Sequence, residues 1–235
     1  MGTSSSAITL LSSGLDSTVA TALALAEGYS IRLAITFDYG QKAAQQEISH
    51  SQRWAEFWGV EHRVLSLPFF SLSKSGLLKN KETPTLPHPT LMELDNPTLA
   101  QQSAHQVWVP NRNGVFLEIA AAFAEQLDAQ FLIVGFNREE AATFPDNSSA
   151  YRESLNRAFT FSTANQVTII SPTEHFNKRE IVRKAIELGL PLQNIWSCYA
   201  QGEAMCGRCE SCMRLKRAFN SNEVNSDAFF ADSHL

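Results

Sequence analysis

The sequence predicts an α/β fold: a doubly wound, mostly parallel sheet of five strands carrying a short C-terminal metal-binding segment. Three observations predict it. Short, apolar, β-rich segments alternate with helix-length amphipathic ones over the first 190 residues. Stop residues (Gly28, Gly59, Pro68, Gly189) fall where one kind of segment gives way to the other. The 235 residues are 44% hydrophobic and 18% charged, enough apolar material for a buried core and too little charge for a disordered chain.

The elements follow in order. Residues 7–11 (Ala-Ile-Thr-Leu-Leu) are a first buried strand, and residues 18–27 an alanine- and leucine-rich helix stopped by Gly28. Residues 30–37 are a second strand, residues 45–58 a helix ending at Gly59, and residues 61–67 a third strand stopped by Pro68. Residues 113–127 read as a long helix, 130–135 (Gln-Phe-Leu-Ile-Val-Gly) as a buried strand and 151–163 as a helix. Residues 167–170 are the fifth strand, and 177–188 a helix ending at Gly189. Strands joined through helices imply a parallel sheet covered on both faces, with the ligand crevice at the strands' carboxyl ends where strand order reverses. Residues 1–190 are read as this domain and 191–235 as the appended segment. Residues 69–107, with Pro84, Pro87, Pro89 and Pro97, are read as a long irregular excursion, and its His88 and His105 as surface histidines.

Bulk properties exclude several function classes. A net charge of −5 argues against a broad nucleic-acid surface, so no direct nucleic-acid partner is expected. No apolar run approaches the ~20 residues of a membrane span, and no secretory signal is visible, which points to the cytoplasm. Residues 1–6 match the bare myristoylation pattern, a motif short enough to arise by chance.

Two motifs carry chemistry. After the first strand, Leu11-Ser12-Ser13-Gly14-Leu15-Asp16-Ser17-Thr18 supplies small residues, a glycine and hydroxyls at a helix start. Backbone N–H groups there form an anion site. The same residues also suit a plain strand–helix turn capped by Ser or Asp, and spacing alone leaves both readings open. Neither a Walker loop nor a dinucleotide fingerprint is present. At the other end, Cys198, Cys206, Cys209 and Cys212 are the only cysteines in the chain. Clustered on turn-rich sequence, they read as ligands of one structural metal; zinc and an iron–sulfur cluster both take such sets. The basic run from Arg214 to Arg217 is read as a solvated helix face.

Ser12-Ser13-Gly14-Leu15-Asp16-Ser17 resembles the Ser-Gly-Gly-x-Asp-Ser loop of the ATP pyrophosphatase (PP-loop) superfamily, with Ser13 where that pattern has its first glycine. Three further blocks are similar to the family of 7-cyano-7-deazaguanine synthases: Phe37-Asp38-Tyr39-Gly40-Gln41-Lys42, Val109-Pro110-Asn111-Arg112-Asn113, and the cysteine cluster. Asn111 stands where many members have glycine, and the segment 135–147 keeps a Pro-Asp core (Pro145-Asp146) in an altered setting. The resemblance implies an adenine nucleotide alpha hydrolase-like fold, zinc on the four cysteines, ATP with Mg2+ as cosubstrate, and a possible homodimer. It implies small-molecule substrates, namely 7-carboxy-7-deazaguanine, ammonia and ATP. It also implies that residues 11–18 hold the ATP phosphates, with Asp16 a magnesium contact and Lys178 a later lysine reaching them. Lys178 could equally be a solvated helix-end cation. Arg112 is expected to hold the substrate carboxylate or a phosphate. A carboxylate is expected to read the guanine-type edge, with Glu139, Glu140 and Asp146 as candidates and Tyr39 or Phe144 available to stack. Asp146 alternatively caps a helix or meets magnesium. Rival functions are a PP-loop enzyme modifying tRNA or another macromolecule, an enzyme stopping at the amide, and a zinc-binding interaction module.

Overall fold

In the computed structural model, which describes residues 5–80 and 83–231, five strands form one sheet. They are β1 (Ser6–Leu10), β2 (Ser30–Asp38), β3 (His62–Ser66), β4 (Phe131–Ile133) and β5 (Thr168–Ile170). The order is β3-β2-β1-β4-β5, and every pairing is parallel. The chain therefore winds outward twice from β1, and the reversal point lies between β1 and β4. Residues 1–4 of the myristoylation-like pattern lie outside the described residues.

Eight helices are described: α1 (Leu15–Ala26), α2 (Ala44–Trp58), α3 (Pro97–Val107), α4 (Arg112–Gln126), α5 (Arg138–Ala141), α6 (Ser149–Ser162), α7 (Lys178–Glu187) and α8 (Glu210–Asn220). One buried cluster joins Leu15 and Val19 of α1, Trp54 of α2 and Ile181 of α7 to Cys209, Leu215 and Phe219. A second joins Leu117 and Ala121 of α4 and Phe159 of α6 to Ile8, Ile35 and Leu132 of the sheet, and a small third joins Ala20 and Ala24 of α1 to Ala7, Ile31 and Ile133. Buried on both faces, β1 is a continuous run in which Thr9 is as enclosed as Ile8, its hydroxyl bonded to that of Thr21 at 2.6 Å. Only the edge strand β3 is substantially exposed.

Two sequence expectations are corrected. The proline-rich excursion contains a helix, α3, whose first turn is capped by Asn96 accepting from the amides of Thr98 (3.0 Å) and Leu99 (3.3 Å). Pro97 sits at the first helical position, where its fixed φ and missing N–H favour a helix start, so its presence marked a beginning and not a loop. The run from Arg214 to Arg217 is not a solvated face. Leu215 and Lys216 are buried, Arg214 pairs with Glu210 (2.8 Å), and Arg217 pairs with Asp95 (2.8 Å). Ser103 of α3 also donates to the buried Glu210, so the excursion and the C-terminal helix are fastened together by polar contacts. Upstream, the backbone of Lys42 donates to Leu77 and that of Lys79 to Gly40, which lays residues 77–79 along the end of β2.

Candidate active site

A cleft opens beyond the carboxyl ends of β1 and β4, lined by Leu11, Ser12, Gly14, Leu15, Asp16 and Ser17 on one side and by Gly135 and Phe136 on the other. Gly135 is needed for contact. A Cβ there would lie 2.6 Å from Ser17 Cα, so β4 can approach the start of α1 this closely only without a side chain.

The loop itself is strained where the sequence departs from glycine. Ser13 has φ +59°, in the left-handed region, and its hydroxyl donates to Ser12 O at 2.5 Å. Asn111, the other departure, has φ +51° and immediately precedes α4. No side chain caps α1; the hydroxyls of Ser12 and Ser17 are 3.2 Å apart and bond each other. The loop is thus not a side-chain-capped turn. The first-turn amides, which no helical carbonyl can accept, border the cleft, and Leu15 N reaches Ser197 Oγ at 3.4 Å. Ser13 and Thr18 are buried behind this lining, and Ser13 O accepts from Trp196 N at 2.9 Å.

Lys178 opens α7 behind a capping box made by Asn177 and Glu180. Its ammonium contacts Asp16 Oδ2 and lies 2.7 Å from Glu140 Oε1, so it is no solvated helix-end cation. Burial works against the ammonium, but the two carboxylates outweigh it and hold Lys178 above its ordinary pKa. Burial pushes Asp16 up to about 6 despite Lys178, with Glu140 adding to the rise, whereas Lys178 holds Glu140 down against its own burial. Asp16 Oδ1 is buried with no hydrogen-bond partner, an orphan oxygen suited to a cation.

The remaining expected residues divide. Arg112 lines the cleft, donates to Tyr39 Oη at 3.2 Å and lies over the Tyr39 ring. Phe144 lines the cleft and stacks on Trp108. Glu139 turns away from it: its Oε1 accepts from Lys178 N (2.9 Å) and its Oε2 faces Arg214 (3.6 Å) and Arg217 (3.7 Å). Asp146 lies in a short turn beside Arg112, and its neighbour Asn147 is the one that reaches the cleft lining. Two residues absent from the expectations complete the wall, Gln41 and Glu47. Glu47 sits in the first turn of α2, and nothing in the period of that helix separates it from exposed Glu56. Gln41 lies in the Phe37–Lys42 block and was legible as part of a motif without a role.

Cys198, Cys206, Cys209 and Cys212 form the second site. Their sulfurs all lie within 4.8 Å of one another. Amides of Ala200 and Cys206 donate to Cys198 Sγ, and that of Cys209 donates to Cys206 Sγ, each at 3.3 Å. Four thiols without disulfides, converging on a point and supplied with N–H donors, fit a metal ion. Cys198 also lines the cleft, two residues beyond the Trp196 contact to the loop.

A family model described as "Queuosine biosynthesis protein QueC" matches residues 6–223. A Methanosarcina barkeri protein named 7-cyano-7-deazaguanine synthase is 50% identical over 220 residues, 93% of this chain and 95% of the relative. One of that name from Carboxydothermus hydrogenoformans is 46% identical over 217 residues, 92% of this chain and 99% of the relative. Among solved structures, the U34-tRNA thiolase NcsA from Methanococcus maripaludis, with its 4Fe-4S cluster, superposes with a TM-score of 0.50. It is 17% identical, covering 98% of this chain and 69% of the thiolase, a likeness of fold alone.

Proposed function

The chain belongs to the QueC family of queuosine biosynthesis proteins, and from that premise we propose that it is an ATP-dependent carbon–nitrogen ligase converting 7-carboxy-7-deazaguanine and ammonia to 7-cyano-7-deazaguanine. The observation that carries the reading is that the phosphate loop, Lys178 and Arg112 line one cleft, so two rounds of the same activation can share it.

A carboxylate is a poor electrophile because oxide must leave. Attack of a substrate carboxylate oxygen on the α-phosphorus of ATP expels pyrophosphate and gives an acyl adenylate. Ammonia adds to the carbonyl carbon, AMP leaves with its C–O bond, and a proton is lost to give the amide. The amide oxygen then attacks a second ATP, again expelling pyrophosphate. Loss of AMP and the remaining N–H protons leaves the nitrile. Catalysis is positioning and charge neutralisation, with no covalent nucleophile. Ser12, Gly14 and Ser17, with the amides after Gly14, would cradle the phosphates, while Leu11, Ser13, Leu15 and Thr18 shape the loop from its walls and from behind. Lys178 would meet the charge that builds on the leaving pyrophosphate. The incoming triphosphate would compete with Glu140 for that ammonium, which already pairs with two carboxylates. Asp16, through its orphan oxygen, would hold Mg2+, which supplies further neutralisation of phosphate charge. Arg112 would hold the substrate carboxylate.

The four cysteines would hold one zinc ion. Thiolates at a Zn–S length of about 2.3 Å sit about 3.8 Å apart in a tetrahedron. Cys206 and Cys212 are 3.9 Å apart, tighter than a four-iron cube spreads its ligands. A closed thiolate set offers no open position, so its contribution is structural. The substrates are small molecules. The ion-paired Arg214 and Arg217 leave that helix little free charge for RNA phosphates, and no described helix is long and apolar enough to cross a membrane.

The test is incubation of purified protein with ATP, Mg2+, ammonium and 7-carboxy-7-deazaguanine, followed by mass spectrometry. AMP and the nitrile are expected, at two AMP per nitrile. ADP as nucleotide product, or AMP release independent of the deazaguanine, overturns the reading. Metal analysis is expected to give about one zinc per chain, and iron with sulfide would overturn that assignment.

A further inference from the structure

Three carboxylates line the cleft, and their partners differ. Asp16 and Glu140 share the Lys178 ammonium. Glu47 has no ion pair among the described residues; its partner is an amide, with Gln41 Nε2 donating to Glu47 Oε2 at 2.8 Å. That amide is locked. Gln41 is buried, its Oε1 accepts from Tyr39 N at 2.9 Å, and its Nε2 also donates to Phe37 O at 3.0 Å. Glu47 is thus held in place by a group that cannot neutralise it. The walls nearby are apolar and flat: Ile35, Phe37, Leu77, Val107 and Phe116, with the rings of Phe37 and Phe116 stacked at 4.1 Å.

We propose that Glu47 is the residue that reads the substrate base, accepting the N1–H and the exocyclic 2-amino group of the deazaguanine while Arg112 beside it takes O6 and the 7-carboxylate. The groups on the ligand match those on the protein in kind. In 7-carboxy-7-deazaguanine the C7 carboxylate and the C6 carbonyl are side by side; N1–H follows, then the 2-amino group. That edge offers acceptors and then donors, and it calls for a guanidinium next to a carboxylate. Arg112 from α4 and Glu47 from α2 both line the cleft, close enough to perturb each other's ionisation yet with no direct ion pair between them.

The other charged or titratable groups facing Glu47 are Arg112, Asp38 and the Tyr39 hydroxyl. Burial, against the Gln41 amide and Arg112, pushes Glu47 up to about 7. Two N–H donors from a bound base supply the hydrogen bonds that the ionised carboxylate lacks. Of the three carboxylates that the sequence had nominated, Glu139 is committed to Arg214 and Arg217 and Glu140 to Lys178, and Asp146 is not part of the cleft lining.

This inference rests on the ligase reading above. The test compares kcat/KM for 7-carboxy-7-deazaguanine and for its analogue lacking the 2-amino group, in the full-length zinc-loaded wild type and in Glu47→Gln. A site built to bond a donor rejects the ligand lacking it, so the wild type is expected to prefer the parent by about 10²-fold or more. In Glu47→Gln the preference collapses to within about threefold, because an amide presents its own donors to that edge, while the Kd for ATP stays within about twofold of wild type. Glu47→Asp is expected to recover part of the preference. A preference retained in Glu47→Gln overturns the proposal, as does its absence in the wild type. Loss of the acidic limb of the pH–rate profile with the preference intact would make Glu47 a proton acceptor and also overturns it. Failure of the wild type to turn over the parent substrate at all would instead sink the ligase reading.

Discussion

In the lining of the cleft Asp16, Lys178 and Glu140 form a first, ion-paired group, while in a second group Glu47 meets a locked amide and Arg112 meets a phenol, neither with an ion pair among the described residues. The single cation of the first group already pairs with two carboxylates, so a phosphate bound there would have to take the place of one of them. The second carries charge of both signs left unpaired, so it is organised for a ligand that supplies the missing acceptors and donors. On the proposed reading the contrast separates two tasks, anion activation and base selection, in one cavity, and mutations can show whether they are independent.

The largest effect is expected from Lys178→Ala. It removes the cation opposite the developing pyrophosphate charge and leaves Asp16 and Glu140 facing each other. Single-turnover AMP formation is expected to fall by about 10³-fold, the scale of losing one preorganised charge partner. Equilibrium binding of 7-carboxy-7-deazaguanine in the absence of ATP is expected to stay within about threefold. If base binding collapses too, the two ends are one coupled unit.

Gly135→Ala is next. The added methyl meets the backbone of Asp16 and Ser17, which cannot rotate away, so β4 and the start of α1 must separate. A cost of about 2–3 kcal/mol is expected from the urea midpoint, in the upper range for overpacking, with the Kd for ATP weakened more than tenfold. An unchanged ATP affinity would show that the loop geometry does not depend on this contact.

How much could be read beforehand follows the same division. The phosphate end is contiguous: residues 11–18 join a strand to a helix, and both the turn and its chemistry are visible in one short stretch. The inner strands were visible for a related reason, since β1, β2 and β4 are largely apolar runs buried on both faces, while β3, exposed at the sheet edge, was bounded by Pro68. Lys178 and Arg112 were reachable only through resemblance, and the structure brings both to the cleft. The base end is assembled from the end of β2, the first turn of α2 and the start of α4. Glu47 has no local signature, because a half-buried glutamate early in an amphipathic helix looks like any solvated one. The Arg214–Arg217 run misled for the complementary reason: beside the local Glu210, its neutralising partners Asp95 and Glu139 are far away in sequence.

A third measurement asks whether Glu47 is kept for function at a cost in stability. Its pKa is raised from the ordinary 4.5 to about 7, so between those values the folded state binds more protons than the unfolded one. Stability therefore falls as pH rises through that window, and the cost is complete above about 7. Glu47→Gln keeps the shape and removes the charge. It is expected to be more stable than wild type by about 1 kcal/mol at pH 8, with the difference vanishing near pH 4.5. The figure is set below the full linkage value because the side chain faces an open cleft. A difference independent of pH would mean that the carboxylate is already satisfied, and the contrast between the two ends would be lost.

The smallest effect is expected at Ser13, and it sharpens what glycine does in this loop. Ser13 and Asn111 both hold positive φ, +59° and +51°, at the two positions where the motifs they resemble lead one to expect glycine. A left-handed conformation costs a residue with a Cβ roughly 1–2 kcal/mol, and asparagine bears it more easily than most. Serine regains part of this through its hydroxyl, which donates to Ser12 O. Ser13→Gly removes the strain and that bond together, and it adds unfolded-state entropy worth about 0.5–1 kcal/mol. The terms nearly cancel, so the urea midpoint is expected to move by less than about 1 kcal/mol in either direction, with the Kd for ATP unchanged within about twofold. Gly135, packed against the backbone of Asp16 and Ser17, has no positive φ and is expected to respond several times more strongly, because there the missing side chain makes room for a neighbouring backbone. Should Ser13→Gly cost as much as Gly135→Ala, the Ser13 hydroxyl, and not the backbone angle it decorates, would be what holds the loop.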